Sequence, residues 1–256
     1  MPLPRLLGLQ DGGPASLTLV RHGQSVGNLA DAEAREQKAD RLDLDVRDAD
    51  VELSDTGKDQ AEALRDWLKG ASEDDRPDVV VSSPYRRAAD TALRATEGLG
   101  LEVTLDERLR ERDLGLFDGL TGQGIRAQYA DEAERRTKVG KFYYQPPSGE
   151  SWADVVLRVR SLLADLRHGF DDARVWLFTH QAVIMSYRYV LEGLSEEQLM
   201  EIDRTSQIGN VSLTTYVRGD GGGLELKAFG DTSVVDAREA EVTAEPTAND
   251  EAEADA

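Results

Sequence analysis

Cysteine is absent from the 256 residues. Disulfides, thiolate nucleophiles and Cys-ligated metals are therefore excluded. Histidine occurs only three times, which argues against a His-rich zinc site. No apolar run approaches the roughly 20 residues needed to cross a bilayer. Met1–Leu9 lacks a signal-peptide core, so the expectation is a cytoplasmic protein with no membrane partner. Bases are scarce beside acids: 30 Lys and Arg against 50 Asp and Glu, a net charge of −20. Residues 236–256 hold eight acids and one base, which leaves −13 on the remainder. A field of that sign repels nucleic acid and anionic membranes, so nucleic acid is not an expected partner. Any local basic cluster stands out against this background.

What is present is a chain long enough for a sizeable core, written as short apolar runs between amphipathic segments. Leu17–Val20, Val79–Val81 and Val175–Phe178 read as buried strands, and Leu101, Val103 and Leu105 alternate as another. Val211–Val217 and Leu224–Phe229 flank a Gly-rich turn and read as a hairpin. Helices are expected after the Ser54–Gly57 cap, around Ala88–Ala95, from Ser151, and over Ala182–Leu191. Alternating strands and helices predict an α/β fold with a largely parallel sheet and right-handed crossovers. Residues 1–16, with three prolines and three glycines, are expected to be a loose lead-in. Residues 31–50, with eight acids and four bases, are expected to form a solvated helix or flap, and 115–124 a Gly-rich loop. The single domain is expected over 17–231. Residues 232–256 are expected to be an acidic disordered tail, and loss of 236–256 to change little.

The tripeptide Arg-His-Gly occurs twice, and its surroundings separate the copies. Arg21-His22-Gly23 ends the apolar run Leu17–Val20 and is followed by small, polar, turn-forming residues. Arg167-His168-Gly169 instead follows Trp152, Val155, Val159, Leu162 and Leu166, which recur at helical spacing. There the cations sit in a last helical turn with Gly169 as its cap, and His168 is structural. Two further strands end in polar signals, Ser82-Ser83-Pro84 and Thr179-His180. In a parallel sheet the C-terminal ends lie on one edge, where open α/β sheets bind ligands. Residues distant in sequence therefore converge there.

The motif Arg21-His22-Gly23-Gln24-Ser25-x-x-Asn28 resembles the signature of the histidine phosphatase (phosphoglycerate mutase-like) superfamily. Three more stretches resemble the family in order. Ser83-Pro84-Tyr85-Arg86-Arg87-Ala88 is similar to its second phosphate clamp, which falls on Arg87 rather than Arg86. Leu109-Arg110-Glu111-Arg112-Asp113-Leu114-Gly115 is similar to its general-acid loop, with Glu111 at the catalytic position and Asp113 as the local rival. Phe178-Thr179-His180-Gln181-Ala182-Val183 departs from the usual glycine after the histidine, but matches the fructose-2,6-bisphosphatase-like branch. Gly149-Glu150-Ser151 fits the same branch. No Gly-x-x-x-x-Gly-Lys loop is present, so a kinase half is missing.

The resemblance implies a three-layer α/β/α sandwich and a metal-independent phosphatase, without a cofactor, acting on a small phosphorylated metabolite. In that reading neutral His22 is the nucleophile, Arg21 and Arg87 hold the phosphoryl oxygens, and cationic His180 stabilises the charge. Asn28 and the Gln181 backbone N–H are further donors, and Glu111 is the general acid and base. A phosphoglycerate-type mutase is the alternative, and a non-catalytic phosphate-binding module a third reading; a homodimer is compatible with all three. The basic run from Arg135 to Lys141, followed by Phe142-Tyr143-Tyr144, lies in the insertion where relatives read their substrates. By counting back from Gly149, Lys141 aligns with one such lysine, whereas the bisphosphatase arginine falls at Thr137. Arg136, Lys141 and Tyr144 are expected to line the pocket mouth and select a second anionic group. The competing reading is a solvated helix face.

Overall fold

The computed structural model describes residues 12–236 and 240–244. Among these, six strands form one sheet: β1 (Ser16–Arg21), β2 (Val79–Ser82), β3 (Val103–Leu105), β4 (Arg174–Thr179), β5 (Leu213–Arg218) and β6 (Leu224–Asp231). Their order is β3-β2-β4-β1-β5-β6. The first four run parallel, and β5 and β6 add an antiparallel hairpin at one side. Arg21 of β1 stands opposite Thr179 of β4, and Ser82 of β2 opposite Phe178. The three polar strand ends therefore meet at one rim.

Side chains alternate across the sheet. Leu17, Leu19, Val175 and Leu177 enter one core, and Val20, Trp176 and Phe178 the other. Because both faces are covered, these strands read as continuous apolar runs rather than alternating ones. The helices are α1 (Val26–Glu36), α2 (Asp55–Gly70), α3 (Arg86–Thr96), α4 (Gly122–Gln128), α5 (Ala130–Val139), α6 (Trp152–Gly169), α7 (Gln181–Glu192), α8 (Glu196–Thr205) and α9 (Ser233–Asp236). On the first face α6 and α7 bury Val155, Val159, Leu162, Val183 and Ile184, with Leu199 of α8 packed alongside. On the second, α2, α3 and α9 bury Leu64, Leu68, Ala92, Ala95, Val234 and Val235. The architecture is a three-layer α/β/α sandwich, as the sequence predicts. The start of α2 crosses close to β1's loop. A Cβ on Gly57 would lie 2.0 Å from the Gln24 carbonyl oxygen, so only glycine fits there.

Several stretches depart from expectation. The charged segment 31–50 divides: α1 ends at Glu36, and Asp48–Asp50 is a single 3-10 turn. The Gly-rich stretch 115–124 contains the start of α4, where Thr121 Oγ1 accepts the Gly124 N–H. The helix α8 starts at the Ser195-x-x-Gln198 capping box, which is its sequence signal. Gly169 is the last residue of α6, and Phe170 takes the C-cap position. The expected tail is corrected over its described part. Val234 and Val235 are 2% and 0% exposed, and full burial of one such side chain contributes about 1.5–3 kcal/mol. A helix of four residues is too short to show a period, which is why composition alone reads as tail. The rest of that segment, and residues 1–11 of the lead-in, lie outside the described residues.

Candidate active site

At the end of β1 the backbone is held residue by residue. The His22 N–H donates to the Thr179 carbonyl at 2.9 Å. The Gly23 N–H donates to Thr91 Oγ1 at 3.0 Å, and the Gln24 N–H to Gln60 Oε1 at 2.9 Å. The His22 carbonyl accepts Asn210 Nδ2 at 2.9 Å. Ser25 caps α1 by accepting the Asn28 N–H at its hydroxyl, and Asn28 Oδ1 accepts the Ser25 N–H in return, which closes a capping box. The His22 ring is fixed through Nδ1, 2.8 Å from the Gly23 carbonyl oxygen. A carbonyl only accepts, so Nδ1 carries the proton and Nε2 keeps its lone pair. Burial first, then the charges of Arg87 and Arg21, push the ring well below the ordinary histidine pKa. At pH 7 it is neutral.

His180 ends β4 beside it, with the two ring centroids 5.1 Å apart. Its Nε2 lies 2.9 Å from Ser83 Oγ at the end of β2. Its Nδ1 is buried with no hydrogen-bond partner among the described residues. Burial, and next Arg87, hold this ring too well below the ordinary value. The expectation of a cationic His180 is thus corrected for the protein alone, because desolvation and the charges of Arg87, Arg158 and Arg21 oppose it. Gln181 opens α7, where the first backbone N–H groups have no intrahelical acceptor. Arg21 is fully buried and donates from Nη1 to the Ile208 carbonyl. Arg87, in the first turn of α3, is 6% exposed. Its fork meets both carboxylate oxygens of Asp48, at 2.8 and 3.2 Å, and the Asp48 carbonyl at 2.7 Å. A carboxylate thus occupies a geometry suited to planar anions. Arg86 is exposed and pairs with Glu52 instead.

Glu111 follows a 3-10 turn at Glu107–Leu109, and its Oε1 accepts the Arg112 N–H at 2.7 Å. Its rival Asp113 is exposed and turned to its own loop, accepting the Gly115 N–H at 2.7 Å. The loop is held by a pair that the sequence reading missed. Glu150 accepts Arg110 at 2.5 Å, Arg158 at 3.1 Å and the Asp113 N–H at 3.1 Å. Arg158 also donates to the carbonyls of Arg108 and Glu111, at 2.7 and 3.2 Å. The available signal was an arginine set within the apolar face of α6. Among the described residues no group of three or more His, Asp or Glu side chains is placed to hold a metal.

A family model described as the histidine phosphatase superfamily (branch 1) matches residues 17–232. The chain belongs to the histidine phosphatase superfamily. The 6-phosphofructo-2-kinase/fructose-2,6-bisphosphatase of Caenorhabditis elegans is 33% identical over 190 residues, which are 74% of this chain and 36% of the relative. The glucosyl-3-phosphoglycerate phosphatase of Mycolicibacterium vanbaalenii is 30% identical over 219 residues, 80% of this chain and 86% of the relative. A solved complex of mycobacterial glucosyl-3-phosphoglycerate phosphatase with inorganic phosphate superposes with a TM-score of 0.67 at 28% identity, covering 86% of this chain and 99% of the other. The chain spans about half the length, 46%, of several curated relatives it matches. The sandwich is the phosphoglycerate mutase-like fold.

In this member of the superfamily the residues expected at the pocket mouth separate. Tyr144 is not there: it is 4% exposed, its hydroxyl donates to Glu132 at 2.8 Å, and its ring packs with Phe117 and Leu120. The small core beside α4 and α5 needed an aromatic, and Tyr144 fills it. Lys141 donates to Asp203 of α8 at 2.6 Å and stands 6.0 Å from the Trp152 ring. Arg136 is exposed in the last turn of α5. Close to both is Arg112, which the sequence reading passed over. It sits 5.7 Å over the Trp152 ring, and burial lowers its pKa while the charge of Glu111 opposes that shift. Its position directly after Glu111 was the signal. Among the described residues no helix is long and apolar enough to cross a membrane.

Proposed function

We propose that this chain is a metal-independent phosphatase that hydrolyses a small phosphorylated metabolite through a phosphohistidine on His22, within one domain over residues 17–231. The observation that carries the reading is the His22 ring. It is a neutral imidazole whose Nδ1 is committed to the Gly23 carbonyl, at a strand end shared with Arg21, Arg87 and His180. Phosphate monoesters hydrolyse extremely slowly unaided, and a covalent intermediate divides the barrier. In the first step Nε2 bonds to phosphorus, the bond from phosphorus to the ester oxygen breaks, and Glu111 gives that oxygen its proton. In the second, Glu111 takes a proton from water, the water oxygen bonds to phosphorus, and the phosphorus–nitrogen bond breaks. His22 is restored and inorganic phosphate leaves.

Arg21 and Arg87 neutralise the equatorial oxygens, with the Asn28 side chain and the Gln181 backbone N–H as further donors. These cations supply the charge that a metal supplies in other phosphatases. His180 takes up a proton when the phosphoryl group arrives, because a dianion offsets the arginine charges that depress its pKa. The phosphatases it resembles are named for a phosphoglycerate and a bisphosphate, both of which carry a second anionic group. That supports a substrate of the same kind, with Arg112, Arg136 and Lys141 as the available cations. Lys141 must leave Asp203 to serve. A phosphomutase would share the first step and return the phosphoryl group to its product. The His180-Gln181-Ala182-Val183 form favours hydrolysis.

The test is phosphate release from a panel of sugar phosphates, phosphoglycerates, bisphosphates and nucleotides, with chelator present. Release from at least one ester is expected, with acid-labile, alkali-stable label trapped on the wild type and absent from His22→Ala. Label on His22→Ala, or release from no ester, would overturn the reading. Phosphoryl exchange between glycerates without release would replace it with the mutase.

A further inference from the structure

The described end of the C-terminal segment lies against the two side chains that brace the nucleophile loop. Gln60 of α2 is fully buried. Its Oε1 accepts the Gln24 N–H, and its Nε2 donates to the Glu241 carbonyl at 2.7 Å and to Thr243 Oγ1 at 2.9 Å. Asn210 is 1% exposed. Its Nδ2 donates to the His22 carbonyl, its Oδ1 accepts the Thr243 hydroxyl at 2.8 Å, and its N–H donates to the Thr243 carbonyl at 2.7 Å. One threonine therefore completes both braces.

The chemistry of amides makes this more than packing. An amide side chain can turn end for end and exchange its donor and acceptor. The nucleophile loop needs one orientation of each: Gln60 must offer oxygen to Gln24, and Asn210 must offer nitrogen to His22. The 240–243 segment specifies both, with a carbonyl and a hydroxyl oxygen for Gln60 Nε2 and a hydroxyl proton for Asn210 Oδ1. The neighbouring backbone also needs holding. Val211 has a φ of 55°, in the left-handed region that a β-branched residue rarely adopts. Its N–H donates to the Arg21 carbonyl at 3.1 Å. Such a conformation persists only where its surroundings over-determine it.

We propose that residues 240–243 are a positioning strap for the nucleophile, which fixes the Gln60 and Asn210 amides and so sets the rate of phosphoryl transfer to His22. The inference rests on the reading of His22 as nucleophile. Thr243 is a positioning residue and does not touch substrate.

Its test compares Thr243→Val, which removes the hydroxyl at constant shape, with Thr243→Ser, which retains it. A chain ending at Asp236 loses the strap, and one ending at Ala244 keeps every bond described. Thr243→Val and the Asp236 chain should lose about tenfold or more in kcat, since small misplacements of reacting groups are costly. Inhibition by inorganic phosphate should stay within about twofold, as the arginine clamp is retained. Thr243→Ser and the Ala244 chain should match the wild type. If the Asp236 chain does not fold, the Val and Ser pair decides alone. Equal kcat for Thr243→Val and wild type would overturn the strap, and so would a loss that Thr243→Ser fails to rescue. The nitrogen resonances of the His22 ring give a readout independent of turnover. They should shift or broaden in Thr243→Val while those of His168 stay in place, and unchanged His22 resonances would count against the strap. If the wild type proves inactive on every ester, the phosphatase reading falls and the ring resonances alone decide the strap.

Discussion

Arg-His-Gly at 21–23 and Arg-His-Gly at 167–169 are the same three residues in opposite circumstances. Arg21 and His22 are 0% and 3% exposed at the end of a central strand, whereas Arg167 and His168 close a helix and His168 is exposed. A Cβ on Gly23 would lie 2.6 Å from the Gly57 carbonyl oxygen, while one on Gly169 would meet nothing within 4 Å. The first copy is desolvated between two arginines. The second meets water, where a cation favours the negative end of the helix dipole. The difference teaches that a tripeptide carries no chemistry by itself. The element that delivers it, and the neighbours that exclude water, set the environment of the ring.

The most severe test of that contrast replaces each histidine. His22→Ala should lower turnover by about 10⁴-fold or more, as loss of a covalent nucleophile does, and His168→Ala should leave it within about twofold. Comparable losses from both would erase the distinction. Exchanging the glycines is read in stability. Gly23→Ala should cost about 1–3 kcal/mol, because a backbone oxygen must shift, and Gly169→Ala should gain about 0.5–1 kcal/mol from reduced chain entropy. Urea melts that move in the same direction for both would contradict the packing described.

Acid sharpens the comparison further. His22 and His180 both have folded-state pKa values well below 6.5. The unfolded chain binds protons on these rings as pH falls through about 6.5, and the folded chain refuses them, so stability declines below that pH. Each ring steepens the decline by at most about 1.4 kcal/mol per pH unit. His22→Ala should flatten the slope of urea midpoints between pH 7.5 and 5, and an unchanged slope would contradict a buried ring that refuses the proton. The smallest effect concerns a neighbour of the first copy. Asp48→Asn should tighten inhibition by inorganic phosphate about two- to fivefold, the worth of a part-exposed ion pair. Weaker inhibition would mean that Asp48 orients Arg87 rather than competing for it.

Much of this was legible before any coordinates. β1, β2 and β4 announce themselves because a strand buried on both faces must be apolar throughout, and their polar ends mark the rim. Arg21, His22 and His180 stand at those ends, whereas Arg87 was picked out by the resemblance to the family. Gln60, Asp48, Asn210 and the Glu150–Arg158 pair do not. Their partners are far away in sequence, and hydrogen-bonded braces have no period to read. Tyr144 misled because an aromatic after a basic run looks the same whether it reads a ligand or fills a small core. The acidic end misled for a related reason: Val234 and Val235 bury within one turn, and Thr243 works through a hydroxyl and a carbonyl. Composition weighs residues by number, and here three suffice.

The pairing of β1 with β4 has a consequence for how such a protein can change over time. Adjacent strands lie about 4.7–4.9 Å apart whatever their sequence, and Arg21 stands opposite Thr179. The backbones that carry His22 and His180, whose rings are 5.1 Å apart, therefore start from a spacing set by sheet geometry. Drift in the helices that coat the sheet cannot stretch it. Lengthening or rewriting the segments around Asp48, Arg112 and Lys141 leaves the hydrogen-bond ladder untouched, so those segments are free to change while the strand ends that carry the two histidines stay side by side.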